Sequence, residues 1–287
     1  MRFLALCAVV AMTCTACDMV DSYQRQIDRA SRAIEHAGTD AARAAAYADR
    51  GRGRSDFARL SFLRRKIDRD EYVRIFTLAV ADHDRAVALA GDDAQTYFAR
   101  GLTYYDRAAQ VDGVDPDHTP WFDAARENFT AAVARDGSHA LAFDYRGLVN
   151  EQTGRFDEAV DDYTHEMALD PRLGKLRLAD LHCTRGQVHL RDKEFDLAAV
   201  ELEKSVALAS LGDGCSCDPY NSLAYVYIDA LGQYDKGRDL VRRALGSGHP
   251  IAPEYMARLD QQPSGAATTA AGSPPPASAS PRSAASR

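Results

Sequence analysis

The stretch that decides the fold runs Phe143-Asp144-Tyr145-Arg146-Gly147, then Gly154-Arg155-Phe156-Asp157-Glu158-Ala159, then Tyr163, then Ala168-Leu169-Asp170-Pro171. Gly147 and Ala159 lack bulk, so two antiparallel helices can approach closely there. Phe143, Phe156 and Tyr163 fill the space between them. Pro171 ends the second helix, because it lacks an N–H and its ring clashes with the preceding turn. The pattern recurs. Arg-Gly pairs stand at Arg50-Gly51, Arg100-Gly101, Arg146-Gly147 and Arg185-Gly186, at spacings of 50, 46 and 39 residues. The second helix recurs with them, from Ala79 to Leu89, from Ala125 to Val133 and from Phe195 to Leu208. A weaker fifth unit runs from Pro219 through Ala224, Tyr227, Tyr234 and Gly237 to Ala244-Leu245. It carries Ala224 where Gly is expected and Gly237 where Ala is expected.

These units resemble the tetratricopeptide repeat (TPR), whose period is 34 residues. The resemblance implies an all-α fold: a right-handed α-solenoid of about five helix-turn-helix repeats with flanking helices, spanning residues 44–251. Five units of 34 leave 38 residues of that span over. Sixteen fall between Gly51 and Ala79, twelve between Gly101 and Ala125, five after Pro171, four around Asp213 and one near Leu231. Val20, Tyr23, Ile27, Ala30 and Ile34 share one helical face, so residues 17–43 are expected to hold a helix that packs on the first repeat. Residues 252–260 are its expected C-terminal counterpart.

Composition agrees with this class. A chain of 287 residues with 46% hydrophobic and 27% charged residues is not disordered throughout. The formal net charge of −7 argues against nucleic acid as a partner. Both ends read as separate segments. Arg2 precedes the uncharged run Phe3 to Ala16, which is too short to span a bilayer. It ends in Cys14-Thr15-Ala16-Cys17, which resembles a bacterial lipoprotein signal, although Cys14 stands where such signals usually carry Leu. The resemblance implies cleavage after residue 16, acylation of Cys17, and a periplasm-facing protein of the bacterial cell envelope on the inner or the outer membrane. Residues 261–287 are rich in Ala, Ser and Pro, with no acidic, aromatic or large aliphatic residue, and read as a disordered tail.

The TPR resemblance also implies a concave groove lined from the first helix of each repeat. Its expected lining is Gln95, Phe98, Leu102 and Tyr105; then Leu141, Asp144, Leu148 and Glu151; then Asp180 and Gln187; then Asn221 and Tyr225. This mix of apolar and acidic residues suits an extended or helical protein segment with apolar anchors and positive charge. The Lys and Asn clamp that chaperone adaptors use for C-terminal carboxylates is missing. Packing of the same positions against neighbouring loops is the competing reading.

Cys183, Cys215 and Cys217 remain after export to an oxidising compartment. Neighbouring first helices stack side by side, so a bridge from Cys183 to Cys215 or Cys217 is expected. The competing readings are free thiols, or metal or redox chemistry with His182 and His189. From Arg50 to Arg74 nine basic and four acidic residues form a basic insertion, in which Phe57, Leu60, Leu63 and Ile67 recur at helical spacing. It reads first as an extended helix pair with an internal apolar face and a solvated Arg face, and second as a lipid-contacting element. The segment Asp112 to His118 lacks the Gly and closing Glu of a calcium loop. No hydrolase, zinc-protease or phosphate-loop motif occurs.

The expected function is therefore that of a membrane-anchored, non-catalytic adaptor or scaffold. It needs no cofactor or metal and binds a protein or peptide in its groove. The alternatives are a thiol- or metal-dependent envelope enzyme using Cys183, Cys215, Cys217, His182 and His189, and a self-assembling scaffold.

Overall fold

The computed structural model describes residues 2–110, 117–208 and 217–262, with side chains from Met19 onward apart from that of residue 110. The expected acylation at Cys17, most of the 112–118 segment, Cys215 and the 263–287 tail lie outside the described side chains. The chain divides into two compact units, Met1–Gly174 and Lys175–Arg287. Among the described residues every regular element is a helix.

The first unit holds α1 (Arg2–His36), α2 (Asp40–Leu63), α3 (Arg69–Ala90), α4 (Ala94–Gln110), α5 (Thr119–Arg135), α6 (Ala140–Gln152) and α7 (Phe156–Leu169). Helices α2/α3, α4/α5 and α6/α7 are the first three hairpins. Helix α8 (Pro171–Arg191) crosses the boundary between the units. The second unit pairs its later part with α9 (Phe195–Leu208). Next come α10 (Pro219–Tyr225), a π-helical segment (Val226–Ala230), α11 (Tyr234–Gly246) and α12 (Pro253–Asp260). Pro171 both stops α7 at Leu169 and opens α8, where its missing N–H costs nothing.

One contact repeats in four hairpins. A Cβ at Gly51 would lie 2.8 Å from the His83 ring, at Gly101 2.6 Å from Phe129, and at Gly186 2.7 Å from Leu202; at Gly147 it would meet the Tyr163 ring. Sixteen residues separate Gly147 from Tyr163 and Gly186 from Leu202, whereas 32 separate Gly51 from His83 and 28 separate Gly101 from Phe129. The excess equals the insertion expected in each of those hairpins. The extra residues therefore lengthen the hairpins without disturbing the packing contact: α2 and α3 reach 24 and 22 residues, against 13 and 14 in α6 and α7. Ala79, Ala125, Ala159 and Ala198, four residues before each large partner, are fully buried. The fifth hairpin holds the one-residue excess expected near Leu231 in its π-helical segment, the usual way for a helix to absorb a single insertion.

The N-terminal flank packs as its pattern predicts. Val20 and Ala30 are buried, and Ile27 lies against Gly53 of α2. The α2 helix departs from the expectation. Its buried residues are Ala44, Ala46, Gly51, Gly53, Ser55, Asp56, Ala58 and Ser61, not Leu60 or Leu63. Small residues are needed there because α1, α3 and α4 all approach it. Phe57 and Ile67 are only partly buried, against Tyr72, Ile75 and Phe76. The Arg face is also not simply solvated. Arg50 and Arg54 both hold buried Asp82, Arg59 holds Asp56, and Arg52 bridges Asp56 and Asp106. Arg107, itself buried, lies 3.9 Å from the Trp121 ring centre and 4.4 Å from that of Phe76.

Candidate functional site

In the first unit the row expected along α4 and α6 is partly open. Gln95 and Leu141 are exposed, Leu141 by 48%, and Leu102, Tyr105, Leu148 and Glu151 are half-buried. Phe98 and Asp144 are buried, at 5% and 3% exposure, and are withdrawn from any lining. Phe98 serves the core instead. Its ring packs on Phe129, Tyr145 and His139 at centroid distances of 5.8, 5.8 and 4.6 Å. Tyr105 extends this aromatic cluster, meeting Tyr145 edge-on at 5.3 Å. Glu151 accepts a hydrogen bond from the Tyr163 hydroxyl, so the acidic character expected of this row is largely engaged.

In the second unit Gln187 is exposed and donates to Ser222 Oγ at 2.6 Å. Asp180 and Tyr225 are half-buried. Asn221 is occupied by structure. Its amide donates to Asp218 Oδ2 and to the Pro250 carbonyl, and its Oδ1 accepts from the Ala252 N–H. It ties α10 to the approach of α12 and has no polar atom to spare for a ligand.

Cys183 and Cys217 form a disulfide, with Cα atoms 6.2 Å apart and 34 residues of separation. This is one of the two pairings expected. It removes both sulfurs from the set of thiolates that a thiol or metal enzyme would need. The two histidines of that alternative have partners of their own. His182 Nδ1–H donates to Glu201 at 2.7 Å, and His189 pairs with Glu194 at 2.7 Å. Burial holds the His182 imidazole below its ordinary pKa. The Glu201 carboxyl, although its own burial works the other way, is held below its ordinary range by His182, Lys204 and Arg185. The pair is thus neutral imidazole against carboxylate. Among the described residues no cluster of three or more His, Cys, Asp or Glu side chains is arranged to hold a metal.

A polar ladder runs beside the Gly contact, and the sequence reading passed over it. The Arg before each Gly meets the residue just before the large partner on the second helix. Arg50 grips Asp82 through two nitrogens at 2.9 and 2.7 Å, and Arg100 donates to Asn128 at 2.6 Å. Arg146 grips Asp162 at 2.9 Å, and Arg185 lies 3.6 Å from Glu201. Arg100 and Arg146 also reach back to the preceding hairpin, at Asp84 and Thr130. In the fifth hairpin the matching positions are Leu223 and Leu240, both fully buried. The signal was present in the sequence: an acid or amide precedes the large partner in each of the first four hairpins.

One cavity of about 270 Å³ opens beside this ladder, lined by Arg126, Thr130, Arg146, Asn150, Arg155 and Asp162 among others. Asn150 explains it. Three residues after the hairpin Gly, the other repeats carry Arg54, Tyr104, His189 and Tyr227. The shorter Asn150 leaves a notch on the face of α6 opposite Leu141 and Leu148.

The fold is of the tetratricopeptide-repeat type. No protein-family model and no curated protein matches the chain. Solved structures similar to it include MamA, at 20% identity over 68% of this chain and 92% of that one, with a TM-score of 0.39. BtubC from P. vanneervenii matches at 16% identity over 91% and 99%, with a TM-score of 0.44. TTC0263, a thermophilic TPR protein in Thermus thermophilus, matches at 18% identity over 66% and 91%, with a TM-score of 0.29. Similarity at this level bears on neither ligand nor partner. The TPR-type assignment stands on the repeated Gly contact and its spacing.

Proposed function

We propose that the chain is a non-catalytic adaptor of the bacterial cell envelope, anchored through acylated Cys17, that binds a protein segment along the α4–α6 face of its first unit. The observation that supports this is the open apolar row on those two helices. Leu141 stands 48% exposed beside half-buried Leu102, Tyr105 and Leu148, while the opposite faces of the same helices are consumed by packing. An apolar row beside fixed aromatic rings is the kind of surface into which a helix or extended segment lays its anchors. Phe98 supports the row from beneath, holding Tyr145 and His139 in place. The short Cys17-to-Val20 connection would keep this unit near the membrane.

A photoreactive residue at position 141 tests the reading in intact envelopes. It should give a discrete protein adduct that is lost on Leu148→Asp, whereas the same residue at exposed Thr164 on α7 should give none. Equal labelling from both positions would sink the proposal.

A further inference from the structure

The nine basic residues of the first hairpin are not equivalent. Arg50, Arg52, Arg54 and Arg59 are held by Asp82, Asp56 and Asp106, and Arg74 is held by Glu71. The other four, Arg64, Arg65, Lys66 and Arg69, gather at the turn between α2 and α3. Residues 62–69 hold only one acid, Asp68, whose side chain caps α3 by accepting from the Glu71 N–H. Arg65 and Lys66 are exposed and have no ion-pair partner among the described residues.

The backbone presents them together. The Arg65 N–H bonds to the Phe62 carbonyl and the Lys66 N–H to that of Ser61, closing α2 in a Schellman turn. Arg65 takes the left-handed position, at φ 54°, where glycine is the usual occupant. Leu63 stands 53% exposed beside this pair, and Phe62, Leu63 and Ile67 line an open hollow of about 420 Å³ with Arg65, Lys66 and the capping Asp68. Apolar residues beside the exposed Arg65 and Lys66 match an interface of acyl chains and anionic headgroups.

The helix register says where this turn lies. Ile27 of α1 meets Gly53 of antiparallel α2 at 3.2 Å from where a Cβ would sit. Seven residues back along α1 from Ile27 is Val20, and ten forward along α2 from Gly53 is Leu63. At about 1.5 Å rise per residue, both lie on the same side of the crossing, roughly 10 and 15 Å from it.

We infer that the α2–α3 turn, through Leu63, Arg65 and Lys66, is a membrane-contact surface for anionic phospholipid headgroups. It lies on the same side of the α1–α2 crossing as Val20, three residues after the proposed anchor, so that anchor and turn engage the same bilayer. The inference rests on the anchor reading above for the bilayer's position, and on the charge distribution for its chemistry.

The test is hydrogen exchange of the full chain, isolated from membranes and reconstituted into vesicles of phosphatidylcholine alone or with phosphatidylglycerol. Amides of residues 62–69 should exchange roughly tenfold more slowly with the anionic vesicles, and high salt should abolish the difference. The exposed double variant Arg65→Glu/Lys66→Glu should lose the protection while α6 and α7 exchange as before. Equal exchange in both vesicles, or protection that arises only on adding soluble envelope proteins, overturns the inference. The mass of the Cys17 peptide from the same sample reports the anchor separately. An unmodified Cys17 with a protected turn would remove the anchor and keep the surface, whereas an acylated Cys17 with an unprotected turn would do the reverse.

Discussion

Changing Gly147 to Ala isolates the contact on which each hairpin depends. On an exposed helix the substitution stabilises by up to about 1 kcal/mol, because Ala has the better helix propensity. Here the new methyl would lie 2.8 Å from Tyr163 Cδ1 and 3.0 Å from Cζ, where ordinary contact begins near 3.4 Å. Tyr163 cannot swing aside. It is fully buried, and its hydroxyl is held by Glu151. The helices α6 and α7 must therefore separate by several tenths of an ångström. Overpacking of this kind costs about 1–3 kcal/mol, so the net loss should be about 1–2 kcal/mol after the propensity gain. Gly137→Ala is the control, since nothing lies within 4 Å of its added carbon. The sign should reverse in a Tyr163→Ala background. That change alone costs about 3–5 kcal/mol, and into the space it leaves Gly147→Ala should now stabilise by about 0.5–1 kcal/mol. Urea unfolding read by circular dichroism gives the totals. Hydrogen exchange of α6 and α7 localises them, which matters because repeat arrays need not unfold in one step. If Gly147→Ala is neutral in the parent chain, or equally harmful with and without the Tyr163 ring, the close approach is not what holds the hairpin.

Two further outcomes follow from buried polar groups. His83 Nε2 is hydrogen-bonded to the Thr103 hydroxyl, and burial, with Arg52 and Arg100 nearby, pushes its pKa from 6.5 down to about 3. A base depressed in the folded state contributes its full stability above pH 6.5 and loses it as the pH falls toward 3. Acid should therefore cost the first unit on the order of several kcal/mol, and His83→Phe, which copies Phe129, should flatten that dependence in pH-dependent urea titrations. A slope unchanged by the substitution would refute the assignment. Arg146→Ala strands Asp162, whose carboxyl burial already pushes above its ordinary range, and should cost about 3–5 kcal/mol. Arg146→Leu/Asp162→Leu, which copies Leu223 and Leu240, should recover most of that loss in the same denaturation assay, and failure to recover it would show that the pair does more than satisfy itself.

The hairpins were legible because their signals are local. Arg-Gly pairs, and a buried Ala four residues before a large partner, survive both insertions, since an antiparallel pair lengthens at its turn and leaves the crossing untouched. The groove was less legible. A position on the first helix faces solvent or the next hairpin according to how closely the neighbour sits. Phe98 and Asp144 fell on the covered side, and Asn221 was taken by the backbone near α12. The α2 helix misled for a related reason. Its apolar spacing suggested a Phe57 and Leu60 core, but crowding by three neighbours favours Gly, Ala and Ser. One of the two disulfide pairings expected for Cys183 is the one formed.

The ladder of Arg and acid has a consequence for how such a chain finds its fold. The two helices of one hairpin can slide past each other by a turn, and an apolar seam alone would not object. A slipped Arg would face no carboxylate, and an Asp meant for it would be buried bare, at a cost of several kcal/mol. The ladder thus acts as a register lock within each hairpin that carries it, penalising a slip along the helix axis. Among the described residues the fifth hairpin is the one that dispenses with the lock, meeting through Leu223 and Leu240 instead.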